Sequence, residues 1–124
     1  MEMKLELVAV PVTDIDRAKE FYVRLGFNAD HDQTVSDEIR FVQLTPPGSG
    51  CSIAIGKGIT TMAPGSLDNL QMVIDDADKA AATLKERGIQ ASEVDDQPWG
   101  RFVYFADPDG NRWSLQQLPN WSGG

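Results

Sequence analysis

The chain has 124 residues, 41% of them hydrophobic and 24% charged, a composition that suits one globular domain with its own core and excludes a largely disordered chain. Eleven basic against nineteen acidic side chains give a net charge of −8, which argues against nucleic acid as a partner. No apolar run approaches the roughly 18 residues that cross a bilayer, the first residues lead straight into an alternating strand, and the lone cysteine, Cys51, has no partner for an internal disulfide, so a cytoplasmic protein with no membrane partner is expected.

Leu5 to Val12 opens the chain as a strand. A helix follows, with Thr13 as its candidate N-cap, Asp16 in the first turn, and Ile15, Ala18, Phe21, Tyr22 and Leu25 on one face at spacings of three and four. Gly26 stops it, because the residue after a helix often takes a left-handed backbone that glycine adopts cheaply. Strands are predicted at Phe27–Asp32, Ile39–Thr45 and Cys51–Gly56, the last two joined by the turn TPPGSG. Residues 57–66, rich in glycine, repeat nothing and read as a linker. A second strand-helix unit then begins: strand Leu67–Ile74, candidate N-cap Asp75, first-turn Asp78, an apolar face of Ala77, Ala80, Ala81 and Leu84, and a stop at Gly88. Strands Ile89–Val94, Arg101–Ala106 and Asn111–Leu118 complete it, the last two joined by DPDGN.

The second unit repeats the first. At a constant offset of 62 residues and without a gap, Asp14 falls on Asp76, Asp16 on Asp78, Ala18 on Ala80, Gly26 on Gly88 and Ala29 on Ala91. Each copy is a βαβββ module, one over about 4–56 and the other over about 67–118, so the expected class is α+β. One helix covers only one face of a four-stranded sheet. Two modules with bare faces are therefore expected to cup around a single cavity within one domain.

The paired modules, the opening VTDIDRAKEFYVRLGF and the late FADPDGNRWSLQQ resemble the vicinal oxygen chelate superfamily, which includes glyoxalase I, ring-cleaving dioxygenases and bleomycin resistance proteins. The resemblance spans Lys4 to Leu118 and implies the fold more strongly than any one reaction. Metalloenzymes of that superfamily carry His, Gln or Glu ligands on the first and last strands of each module, positions that fall here on Leu7, Ala54, Asn69 and Ser114. Leucine and alanine have no donor atom, and neutral amide or hydroxyl oxygens hold transition metals weakly. No metal or other cofactor is expected. A strand slipped by one residue would offer Glu6 and Asp68 instead, but Val8, Val10 and Val12 share a face with Glu6 and are needed against the helix, so these acids read as strand-end charges.

Alternation adds Ser52, Gln71 and Gln116 to the expected cavity wall, and Trp99, in the loop DDQPWGR, is a candidate for its mouth. Arg101, with Arg40 on a neighbouring strand, is a candidate positive group for an anionic substrate, with a surface salt bridge as the other role such arginines take. Trp113 is expected to pack against a helix, Trp121 to contact ligand or partner, and His31, the only histidine, to sit exposed beside a turn. Such a wall can hydrogen-bond a ligand but presents no evident nucleophile, so no catalytic residue is assigned. The expected function is metal-free binding of a small molecule, such as an antibiotic or metabolite, by a homodimer. The alternative is a glyoxalase-like lyase or isomerase, or a dioxygenase-related enzyme, with an atypical site.

Overall fold

A computed structural model describes residues 1–119. In chain order the elements are β1 (Leu7–Ala9), α1 (Ile15–Leu25), β2 (Asn28–Thr34), β3 (Arg40–Thr45), β4 (Ser52–Lys57), β5 (Asp68–Ile74), α2 (Ala77–Glu86), β6 (Asp95–Gln97), β7 (Gly100–Ala106) and β8 (Arg112–Gln117). The fold is α+β, with two four-stranded sheets of the same topology, β1-β4-β3-β2 and β5-β8-β7-β6. In each sheet the first and last strands of the module pair in parallel and the other neighbours pair antiparallel. Two compact units result: Met1–Leu67 with Asp107–Asn111, and Asp68–Ala106 with residues 112–119. Among the described residues no helix is long and apolar enough to cross a membrane.

In the first unit α1 buries Ala18, Phe21, Tyr22 and Leu25, and the matching sheet face supplies Val42, Leu44, Ile53 and Ile55, none more than 4% exposed. Each large side chain removed from water contributes about 1.5–3 kcal/mol, which makes this stripe the main reason that the helix sits on the sheet. The N-cap is Asp14, one residue later than expected: its Oδ1 accepts from the Arg17 N–H at 3.0 Å. Thr13 is drawn elsewhere, its N–H and hydroxyl both donating to Asp109 Oδ1 at 3.1 and 2.7 Å. Gly26 ends the helix at φ 125°, where an L side chain would be strained.

A buried polar knot closes this unit. The Asp107 carboxylate accepts from the Tyr22 hydroxyl at 2.8 Å, from Asn111 Nδ2 at 2.8 Å, and from the Asn111 and Asp109 N–H groups at 2.9 Å each. Asn111 Nδ2 also donates to the Pro11 carbonyl at 2.8 Å, and its Oδ1 accepts from the Leu67 N–H at 3.1 Å. The DPDGN segment, legible as a turn, is thus also a hub of long-range hydrogen bonds.

In the second unit α2 is capped by Asp76 rather than Asp75, its Oδ1 accepting from the Lys79 N–H at 3.1 Å. Gly88, at φ 72°, follows the cap residue Arg87, and the Ile89 N–H reaches the Leu84 carbonyl at 2.9 Å. The strand expected at Ile89–Val94 is not formed. Ile89 is buried, and Ala91 makes one isolated bridge to Phe105. The Ser92 hydroxyl takes the Tyr104 N–H that a ladder would have used. The pairing strand is β6, on the polar triplet Asp95–Gln97.

The duplication extends to ion pairs. In the first unit Arg40 spans Asp16, in the first turn of α1, and Asp32 on β2, with Nη2 at 2.9 Å from each. In the second unit Arg101 spans Asp78, in the first turn of α2, at 2.9 Å and Asp96 on β6 at 2.6 Å. Each arginine fastens the helix start to the edge strand of its own sheet.

Candidate functional site

Strand pairing decides which side chains share the sheet face away from the helix. In the first sheet the partners Leu7 and Ser52, Ala9 and Ala54, Gln43 and Ala54, and His31 and Gln43 share that face. The expected Leu7, Ser52 and Ala54 are therefore neighbours. Ser52 is buried and hydrogen-bonded on two sides, accepting from Gln43 Nε2 at 3.2 Å and meeting the Thr45 hydroxyl at 2.7 Å. Thr45 also bonds the Asp30 carboxylate. That bond, with one from Asn28, holds Asp30 below the usual carboxylate range. His31 is exposed, but it lies within β2 rather than beside a turn.

The second sheet carries a more connected surface. Tyr104, Gln71 and Ser114 are opposed, as are Phe102, Val73 and Gln116. Ser114, 1% exposed, bonds Asn69 Oδ1 through its hydroxyl. Gln71 Nε2 donates to Gln116 Oε1 at 2.6 Å, and Gln116 Nε2 donates to the Trp99 carbonyl at 2.9 Å. Five expected residues, Asn69, Gln71, Trp99, Ser114 and Gln116, thus lie on one hydrogen-bonded surface. Asn69 sits at a bulge in β5 with φ 75°, a left-handed backbone that asparagine tolerates better than most residues. It borders a groove of about 630 Å³ whose other walls include Asp68, Tyr104 and Arg112. Trp99 occupies the tight turn between β6 and β7 and is 56% exposed.

Arg101 does not join this surface. It opposes Gln117 rather than Gln116, so alternation turns it to the helix side, where its two aspartate partners hold it. Arg40 is committed in the same way. Both guanidiniums are stabilised by their aspartates and shifted further above their ordinary range. Neither faces Ser114 or Ser52. Trp113 packs on the helix side, 4% exposed and stacked on Phe105 at 6.1 Å; Trp121 lies outside the described residues.

Three residues on the second sheet were not foreseen. Phe102 and Tyr104 form a nearly parallel ring pair, 13° and 6.0 Å apart, and the Tyr104 hydroxyl donates to Asp95 Oδ2 at 2.6 Å. That bond, aided by burial and the carboxylate's charge, pushes the Tyr104 pKa up to about 12. Their alternation in RFVYFA was visible, but both faces of that strand are apolar, which hides the choice between them.

Residues 4–115 match the Glyoxalase/Bleomycin resistance protein/Dioxygenase superfamily. The chain belongs to that superfamily. The fold is similar to that of TnmS3, an antibiotic binding protein from Streptomyces sp. CB03234, with a TM-score of 0.86 and 39% identity over 95% of this chain and 98% of that one. A glyoxalase/bleomycin resistance protein from the same organism gives a TM-score of 0.80 and 40% identity, covering 92% of this chain and all of that one (100%). The uncharacterized protein YetH of Bacillus subtilis is 27% identical over 122 residues, 94% of this chain and 100% of YetH.

A divalent metal of the kind used by the superfamily's enzymes does not suit the donor set at Leu7, Ala54, Asn69 and Ser114. Two of these side chains have no donor atom, and the oxygens of the other two are hydrogen-bonded to each other. Beside the Asp95 carboxylate, the surface offers neutral amide and hydroxyl groups next to aromatic rings, suited to orienting a polar or aromatic molecule.

Proposed function

We propose that this superfamily member is a metal-free small-molecule-binding protein that sequesters an antibiotic or metabolite. The chain of neutral groups on the second sheet, Ser114 to Asn69 and Gln71 to Gln116 to the Trp99 carbonyl, supports this most directly. It is preorganised, since each amide is oriented by its neighbour, so binding a ligand there orders few side chains. Similarity to an antibiotic binding protein points the same way. We take the working form to be a cytoplasmic homodimer: Leu5, Leu7 and Val73 are 71%, 39% and 60% exposed, apolar surface that a second copy would cover.

Quenching of tryptophan fluorescence across a panel of aromatic and cationic drugs tests the binding function directly, because Trp99 borders the proposed surface. Saturable quenching by at least one compound is the expected result, and silence throughout the panel would overturn the reading. Elemental analysis of protein purified without chelator should find no stoichiometric divalent ion; one ion per chain would refute the metal-free form. Sedimentation should give twice the chain mass.

A further inference from the structure

Consecutive aspartates on β6 point to opposite faces of the second sheet and meet different partners. Asp96 turns to the helix side and is neutralised by Arg101 at 2.6 Å. Asp95 opposes Phe102 on the other face. Among the described residues its carboxylate meets the Tyr104 hydroxyl at 2.6 Å and Gln97 Nε2 at 3.0 Å, and no lysine or arginine pairs with it. One neutral donor on each oxygen leaves part of the carboxylate's accepting capacity open, since an ionised carboxylate has about four lone-pair sites. Beside it lies the ring pair, with Phe102 buried and Tyr104 40% exposed. The negative face of an aromatic ring attracts cations.

An uncompensated carboxylate flanked by open aromatic surface, in a chain of net charge −8, is complementary to one chemical class. We infer that this face of the second sheet carries a subsite for an aromatic organic cation, with the charged nitrogen against Asp95 and the flat body against Tyr104. This rests on the binding function proposed above and specifies its ligand class.

Three flat tricyclic probes of similar size separate charge from shape: aminoacridine, a cation at neutral pH; acridine, which is neutral; and anthroate, an anion. Calorimetric titration of the full chain should give aminoacridine a Kd about tenfold below that of acridine, the scale of one partly exposed charge contact plus a cation–π contact. Anthroate should bind weakest. D95N should bring the first two Kd values together, while D96N, on the opposite face, should leave their ratio intact. Y104F keeps the ring and releases one carboxylate oxygen, so the ratio should widen; this variant decides the matter if D95N fails to fold. Equal affinity for acridine and aminoacridine, a ratio that D95N leaves unchanged, or a ratio that Y104F narrows overturns the cation subsite while the binding function stands. If none of the three probes binds, the subsite is overturned, and silence of the whole drug panel would then remove the binding function as well.

Discussion

Replacing Asn111 by alanine should destabilise the protein more than any other single deletion of a polar group in the first unit. Asn111 is fully buried and its side chain makes three hydrogen bonds: to the Pro11 carbonyl, to Asp107, and from the Leu67 N–H. Alanine orphans the Leu67 N–H, takes one of two donors from the Pro11 carbonyl, which keeps the Gly65 N–H, and takes one of four donors from the carboxylate. The orphaned N–H costs about 1–3 kcal/mol, the bond lost from the carboxylate about 1.5–3 and the one lost from the Pro11 carbonyl about 0.5–1.5, but the losses overlap and water can enter the vacated space, so the net should be about 3–5 kcal/mol. Tyr22→Phe is the internal control. It removes one bond to the same carboxylate, which keeps Asn111 Nδ2 on the same oxygen, and should cost about 1.5–3 kcal/mol. In urea melts followed by tryptophan fluorescence, with a slope of about 2 kcal/mol/M, the midpoint should fall by about 2 M for N111A and about 1 M for Y22F. A midpoint for N111A equal to wild type, or a smaller loss than Y22F, would refute the view that Asn111 is the centre of this buried network.

Acid should act through the first-unit ion pairs. Arg40, and then Lys19, hold Asp32 well below the usual carboxylate range, so its contribution to stability is complete above the unfolded value of about 3.9 and is lost as pH falls below it. The urea midpoint should drop on going from pH 5 to pH 3, and D32N should flatten that slope; an unchanged slope would remove Asp32 from the explanation. Gly56→Ala places a Cβ 2.0 Å from the Arg40 carbonyl oxygen, across the β3–β4 pair, and should cost at least about 2 kcal/mol, read as a lowered melting temperature. Tyr104 should titrate near pH 12 by carbon NMR of its ring, and D95N should return it toward about 10; a Tyr104 pKa that D95N does not move would mean that the hydroxyl–carboxylate bond is not formed in solution.

The gap-free repeat, the two amphipathic helices, their glycine stops and most of the strands were readable along the chain, because caps, helical periodicity and turns are local properties. The caps were misplaced by one residue for a reason that lies far away in sequence: Thr13 serves Asp109, leaving Asp14 to bond the Arg17 N–H. The strand expected at Ile89–Val94 has the right apolar residues, yet a serine hydroxyl substitutes for its ladder, and the polar triplet Asp95–Gln97 pairs instead because the tight turn at Pro98 and Trp99 folds it onto β7.

The same division holds at the candidate site. Alternation along β5 and β8 was enough to bring Gln71, Ser114 and Gln116 to one face, and Asn69 joins them although it lies on a bulge that no pattern announced. Alternation names two sets of residues but does not say which set faces the helix; that depends on register, a long-range pairing in which one residue's slip exchanges the faces. Arg101 opposes Gln117, which puts it on the helix side as an ion-paired fastener, the salt-bridge role the sequence also allowed, while Tyr104 and Asp95 lie on the other face. Local chemistry was written in the order of the residues; the choice of face, and the long-range partners of Thr13 and Asn111, exist only where distant segments meet.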